Sequence, residues 1–481
     1  IYDHANNPTS AKVDWCEYLD ASFTPALHVW CPEMSISCGT EVTWDRTDRP
    51  YLVTSDVWIC DTGRLNIDPG VEVLMAEADP KLQFEVRGEL HVNGTEGLPV
   101  TILSAAETPQ PQDWIGMTFQ GSSQGFLNHM EVAHADIGID AQASSTLHLN
   151  NVTSRQNRYG LYVYGAGPPT VNVTGSTFTE NTYYGVYMRG TPNPAVTITG
   201  SSLYGNLGSK DLYTYSYADS DTYVQLARDN WWGYADPVQI GPRIQDHRNS
   251  STAPRVDWCR YLDGPPPGGT PVVDSHCPEL VVCDSPVTWE LTDKPYEIVT
   301  DVWVCPAQTL TVGPGVEARV VKTTPQPDFL IDGTLDVTGI EGTPARLLSS
   351  DDTPQPQDWI GLKFRGSSVG YLDHLIVEHA DTGIDGGDSS TLQLNNVTAR
   401  QNRYGLFVYG SGPPTVNVTG STFTENSYYG VYLRGNPNPD VTITGSSLYG
   451  NLGSKDLYTY SYADSSTFVQ LARDNWWGYA D

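Results

Sequence analysis

The chain has 481 residues, a net charge of −31 and a pI near 4.4, with 45 Gly, 34 Pro, 28 Tyr and only 5 Met. That balance rules against a nucleic-acid binder, which needs a basic face, and disfavours anionic membranes and acidic polysaccharides as tight partners. No apolar run of about 18 residues could cross a bilayer, and no basic, apolar leader opens the chain, which therefore reads as mature or trimmed.

The chain repeats itself. At an offset of 245, Asn151 falls on Asn396, Trp231 on Trp476 and Cys60 on Cys305; near the start the offset is 243 and Cys16 falls on Cys259. Between Thr197–Asp236 and Thr442–Asp481 only Asp221/Ser466 and Tyr223/Phe468 differ, two positions of forty. Two copies of one module follow.

In chain order, residues 1–41 read as a cap or linker that starts out of register, and 42–236 as the first module. Residues 237–286, rich in Pro and Gly, read as a linker and cap, and 287–481 as the second module. Eight cysteines (Cys16, Cys31, Cys38, Cys60, Cys259, Cys277, Cys283, Cys305) divide four to each half with no CxxC pair, which points to disulfides in an oxidising compartment. Four cysteines allow three connectivities. The spacing of 22 kept between Cys38 and Cys60 and between Cys283 and Cys305 favours those pairs, leaving Cys16–Cys31 and Cys259–Cys277.

Within a module, STLHLNNVTSRQNRYGLYVYG, PTVNVTGSTFTENTYYGVYMRG and PAVTITGSSLYGNLGSKDLYTYS align. Leu147, Val171 and Val196 lie 24 and 25 apart, and so do Asn157, Asn181 and Asn206. Period-two alternation, a fixed turn residue and a repeat of about 22–25 describe the coils of a parallel β-solenoid, with the Asn residues stacked as a ladder. A leucine-dense repeat frame is missing, and the alternation excludes helical repeats.

The runs YLVTSDVWICDTGRLNIDPGVEVLM and YEIVTDVWVCPAQTLTVGPGVEARV, followed by GELHVNGTEGLPVTILS, QDWIGMTF and coils ending in NWWG, resemble secreted right-handed parallel β-helix proteins of the pectate-lyase-like superfamily. The resemblance implies an all-β fold of two tandem right-handed parallel β-helix (solenoid) modules, joined by disulfide-pinned, Pro/Gly-rich linkers. Function stays open, because this family includes lyases, hydrolases, adhesins and structural rods.

Catalytic relatives use carboxylate clusters, and hydrolytic ones carry GHG and RxK signatures; neither signature appears here. Asp351-Asp352 belongs to SSDDTPQ, where the other copy reads SAAETPQ. His134, Asp136 and Asp140, matched by His379, Asp381 and Asp385, could do acid–base work, but a structural turn is the favoured reading. His148 becomes Gln393 in the second copy, and His129/His374 reads as surface. Arg155, Arg158, Arg400 and Arg403 read as an ion-paired edge. Asp219 and Asp221 suit Ca²⁺, but the second copy has Asp464 with Ser466, so no cofactor is expected. No catalytic residue is assigned, and no enzyme is expected.

The aromatic signal is richer. Alternation puts Tyr213, Tyr215 and Tyr217 on one face beside Tyr159, Tyr162, Tyr164, Tyr183, Tyr184 and Tyr187, either as packing ladders or as a surface for sugars. Trp231-Trp232 and Trp476-Trp477 read as plugs over the last coil. Six sequons (Asn93, Asn151, Asn172, Asn249, Asn396, Asn417) are glycosylation candidates, with Asn172 and Asn417 on the outward strand phase.

Ile1 aligns with Ile244, which follows Asp236 after the seven residues PVQIGPR. The expectation is an extracellular or cell-surface filament protein, partnered with itself head-to-tail or within a longer tandem chain. A carbohydrate-binding adhesin that meets surface glycans and a polysaccharide lyase or hydrolase are the alternatives.

Overall fold

A computed structural model describes residues 32–478, other than 219, 221, 222, 273–279, 284, 293, 436 and 464. The chain divides into two compact units, 1–272 and 273–481, and each is a parallel β-solenoid.

In the first unit one face is a nine-stranded sheet. It runs through Val57–Ile59, Gln83–Val86, Trp114–Phe119, Ala135–Gln142, Tyr159–Tyr164, Tyr184–Arg189 and Leu212–Tyr215. The other two faces form one sheet, because Gln124–Ala133 and Thr146–Arg155 run unbroken through the corner between them. In the second unit the three faces are separate sheets of eight, eight and seven strands.

Alternation fixes the core. Leu65, Leu90, Gly125, Leu147, Val171 and Val196 stand in one inward column, each paired in register with the next coil. All but Gly125 carry apolar side chains, and burying each contributes about 1.5–3 kcal/mol. Gly125 makes room for Phe119: a Cβ there would sit 2.7 Å from both the Phe119 ring and Leu147.

The asparagine ladder forms as the spacing predicts. Asn157 and Asn181 are fully buried, and Asn206 nearly so. The Asn157 N–H donates to Asn181 Oδ1 and the Asn181 N–H to Asn206 Oδ1, both at 3.1 Å. Each amide also donates back: Asn181 Nδ2 to the Ser154 carbonyl and Asn206 Nδ2 to that of Phe178. Asparagine suits the corner because one side chain supplies both an acceptor and a donor. The column ends on Asp211, which accepts from Asn206 Nδ2 at 2.8 Å and pairs with Arg243 at 2.7 Å. Asn402, Asn426 and Asn451 repeat it in the second unit.

Cys38–Cys60 and Cys283–Cys305 are disulfides, each with Cα atoms 4.9 Å apart. Cys259 is also disulfide-bonded; Cys16, Cys31 and Cys277 lie outside the described residues.

The stretch read as a linker and cap from 237 begins as structure of the first unit. Asp236 caps a short helix, Pro237–Ile240, by accepting from the Val238 N–H at 3.0 Å. Ile244–Gln245 then pairs with Leu212–Tyr213, and Arg255–Asp257 pairs with Val224–Leu226. One more coil thus lies over the end of the solenoid, its strands too short to stand out in a Pro-rich text.

Candidate functional site

Two surfaces carry chemistry: the outward side of the aromatic-bearing sheet, and the last coil.

On the sheet, in-register stacking turns single residues into columns. In the first unit one column runs Thr118, Asp140, Tyr162, Tyr187, Tyr213. Its counterpart in the second unit runs Lys363, Asp385, Phe407, Tyr432, Tyr458. The rings pack on one another, with centroids 4.5 Å apart for Tyr162–Tyr187 and 4.6 Å, nearly parallel, for Phe407–Tyr432. Below them in the second unit is a cleft of about 370 Å³ lined by Lys363, Asp381, Asp385, Arg403, Tyr404 and Tyr409.

The electrostatics of the cleft follow from burial. Removal from water pushes the Asp385 carboxyl up to about 7, against the opposing pull of Lys363 and of the Tyr409 hydroxyl, which donates at 3.5 Å. Its Oδ1 is shielded and has no hydrogen-bond partner. Burial, and then the charge of Asp385, push the Tyr409 phenol up to about 12, so it remains a donor. Asp381 pairs with Arg403 at 3.2 Å, and the guanidinium lies over the Tyr404 ring. In the first unit Asp140 is 5 % exposed and likewise raised to about 7 by burial, with Gln142 Nε2 donating at 2.6 Å. Thr118 stands where the second unit has Lys363.

The decisive observation for kinship is the pattern itself, in-register parallel coils with polar corner ladders, together with matched sequence. Residues 104–203 and 350–448 match the model of the right-handed beta helix region, and 36–145 that of the pectate-lyase-like beta helix domain, together over half of the chain. The chain belongs to the right-handed β-helix family.

Among solved structures, a mutant of the periplasmic alginate epimerase AlgG is similar to this β-helix protein over 88 % of this chain and 78 % of that one, at 12 % identity and a TM-score of 0.26. The epimerase without that mutation has the same coverage and identity with a TM-score of 0.19. An alginate lyase from Paenibacillus sp. str. FPU-7 is similar over 79 % of this chain and 93 % of its own, at 12 % and 0.14. Likeness at this level bears on no activity. No curated protein sequence matches the chain.

The fold of this β-helix separates residues that are neighbours in HADIGID. His134 sits at the corner between two strands with φ +68°, its Nε2 3.3 Å from Gln156 Oε1, and burial lowers its pKa. Asp136 pairs with Arg158 at 3.4 Å, while Asp140 points into the aromatic column. Arg155 and Arg400 pair with Glu131 and Glu378, both at 2.6 Å.

Tyr213 and Tyr215 share the outward face, but Tyr217 does not. Ser216 at φ +55° breaks the alternation and turns Tyr217 inward, to 6 % exposure. Asn93, Asn151, Asn172, Asn249 and Asn396 are exposed, and Asn417 is half-buried. Asp219, Asp221 and Asp464 lie outside the described residues, and among those described no group of three or more His, Cys, Asp or Glu is placed to hold a metal.

Lys363 and Tyr409 escape a motif search because they are distant in sequence. Their signal is the coil period: Lys363, Asp385 and Phe407 are spaced by 22 and 22.

On the last coil the two units differ. Trp232 is fully buried, while Trp477 is 37 % exposed. Leu212, Thr214 and Ala227 are buried, whereas Leu457 and Ala472 are half-buried and Thr459 is exposed. The sequences there are almost identical, so the coil over the first unit accounts for the difference.

Proposed function

We propose that the chain is a structural solenoid, working outside the cytoplasm, whose coils extend by addition of like units at their ends. The observation that carries this reading is the in-register pairing of Ile244–Gln245 and Arg255–Asp257 with the final strands of the first solenoid. That pairing supports an end built to be continued, since an uncovered parallel edge offers its backbone groups to the next strand. The disulfides support an oxidising compartment. Electron microscopy of native, unreduced material tests the reading: fibres with an axial repeat near one unit are expected, and isolated short rods overturn it.

The cleft at Asp385 favours a second reading, capture of a carbohydrate chain, because rings, a donor phenol and two cations suit a hydroxylated ligand. Calorimetry against an oligosaccharide panel tests it. Binding weakened at least tenfold by Tyr404→Ala is expected, and no heat from any sugar ends that reading.

A further inference from the structure

The two units diverge where the aromatic sheet carries its shielded carboxyl. In the first unit Gln142 seals Asp140, donating to Oδ2 at 2.6 Å, while the Tyr162 and Tyr164 rings close in with centroids 4.6 Å apart. Asp140 Oδ1 has no hydrogen-bond partner, but at 5 % exposure the residue is closed to a ligand. The second unit has Gly387 in place of Gln142, Lys363 in place of Thr118 and Phe407 in place of Tyr162. The seal is gone there, and the cleft of about 370 Å³ opens beside Asp385.

The charges in this cleft are matched. Lys363 and Asp385 are in-register neighbours on adjacent strands, about 4.8 Å apart along the stack, and Arg403 pairs with Asp381 at 3.2 Å. Asp385 Oδ1 still lacks a hydrogen-bond partner, and it needs a donor. A ligand carboxylate has no proton to give it and would repel it. A hydroxyl meets both needs, because it can donate to Oδ1 while accepting from the Lys363 ammonium. The Tyr409 hydroxyl, 3.5 Å from Asp385 Oδ2, can serve a second ligand hydroxyl. Tyr404 and Phe407 line the same cleft and offer ring surface to a sugar.

We propose that the second unit alone binds an uncharged sugar, through a hydroxyl bridged between Lys363 and Asp385, and that Lys363 and Gly387 set this specificity. The proposal rests on the carbohydrate reading above and names the class of sugar and the unit that takes it.

Calorimetry on the intact, oxidised chain at pH 8, where Asp385 is ionised, reads this site. The probes are tetrasaccharides of glucose, galactose and mannose, set against those of the corresponding uronic acids. A neutral probe is expected to bind at one molecule per chain and at least tenfold tighter than its acidic counterpart. Lys363→Thr, which copies the first unit, should weaken that binding roughly tenfold. Thr118→Lys combined with Gln142→Gly copies the second unit and should raise the count to two, a gain that misfolding cannot imitate; circular dichroism checks that each variant is folded. Acidic probes that bind as tightly as neutral ones, two molecules on the wild-type chain, or a count left at one in the double variant would each overturn this assignment and leave the carbohydrate reading standing. No heat from any probe overturns both.

Discussion

Asp140 occupies an outward strand position, yet the rings beside it leave it 5 % exposed. Its carboxyl holds a proton up to about pH 7 in the folded chain but releases it near 4 when unfolded. The sign follows. Stability from that proton is complete below about pH 4 and is lost as pH rises through 7, by roughly 3–4 kcal/mol. Asp140→Asn should therefore flatten the fall in melting temperature of the first unit between pH 5 and pH 8, as followed by calorimetry. An unchanged slope would assign the fall to other groups. The charge of Asp140 was legible in the sequence, and its burial was not, because Tyr162 and Gln142 cover it from adjacent positions and coils. His134 shows the same limit from the other side: three neighbours in HADIGID take three different surroundings once the chain turns at a corner.

At the scale of the coil, the polar corner is the specific feature. Asn181→Ala removes the acceptor of the buried Asn157 N–H and a donor to Ser154. Leaving such groups unpaired should destabilise the first unit by about 2–4 kcal/mol in urea unfolding. Asn172→Ala, on the outward phase of Thr170–Thr174, should stay within about 0.5 kcal/mol. Equal effects at both positions would refute the ladder as a source of stability. This element was readable in advance because its residues recur at 24 and 25 with the strands. Tyr217 was not, because alternation assumes an extended backbone and Ser216 departs from it. The cleft at Asp385 lay between these cases: its columns follow the coil period, but its members belong to three successive coils.

For the whole chain, the repeat in the text and the unit in space are out of phase. Composition makes 237–286 read as a linker and cap, and Pro and Gly do fill it. What decides its place is five residues of strand, Ile244–Gln245 and Arg255–Asp257, too few for periodicity to register. Sequence identity locates a duplication. It does not locate the boundary of a fold, which is set by the backbone groups and apolar surface that need covering.

That phase shift has a consequence during synthesis. The first solenoid is complete in sequence at Asp236, but Trp232 and its neighbours stay bare until the residues through Leu262 have left the ribosome. At 5–20 residues per second, that is an interval of about 1–5 s. The first unit is thus closed by residues that follow its last repeat in the text, and translation speed sets how long its sticky end waits among its neighbours.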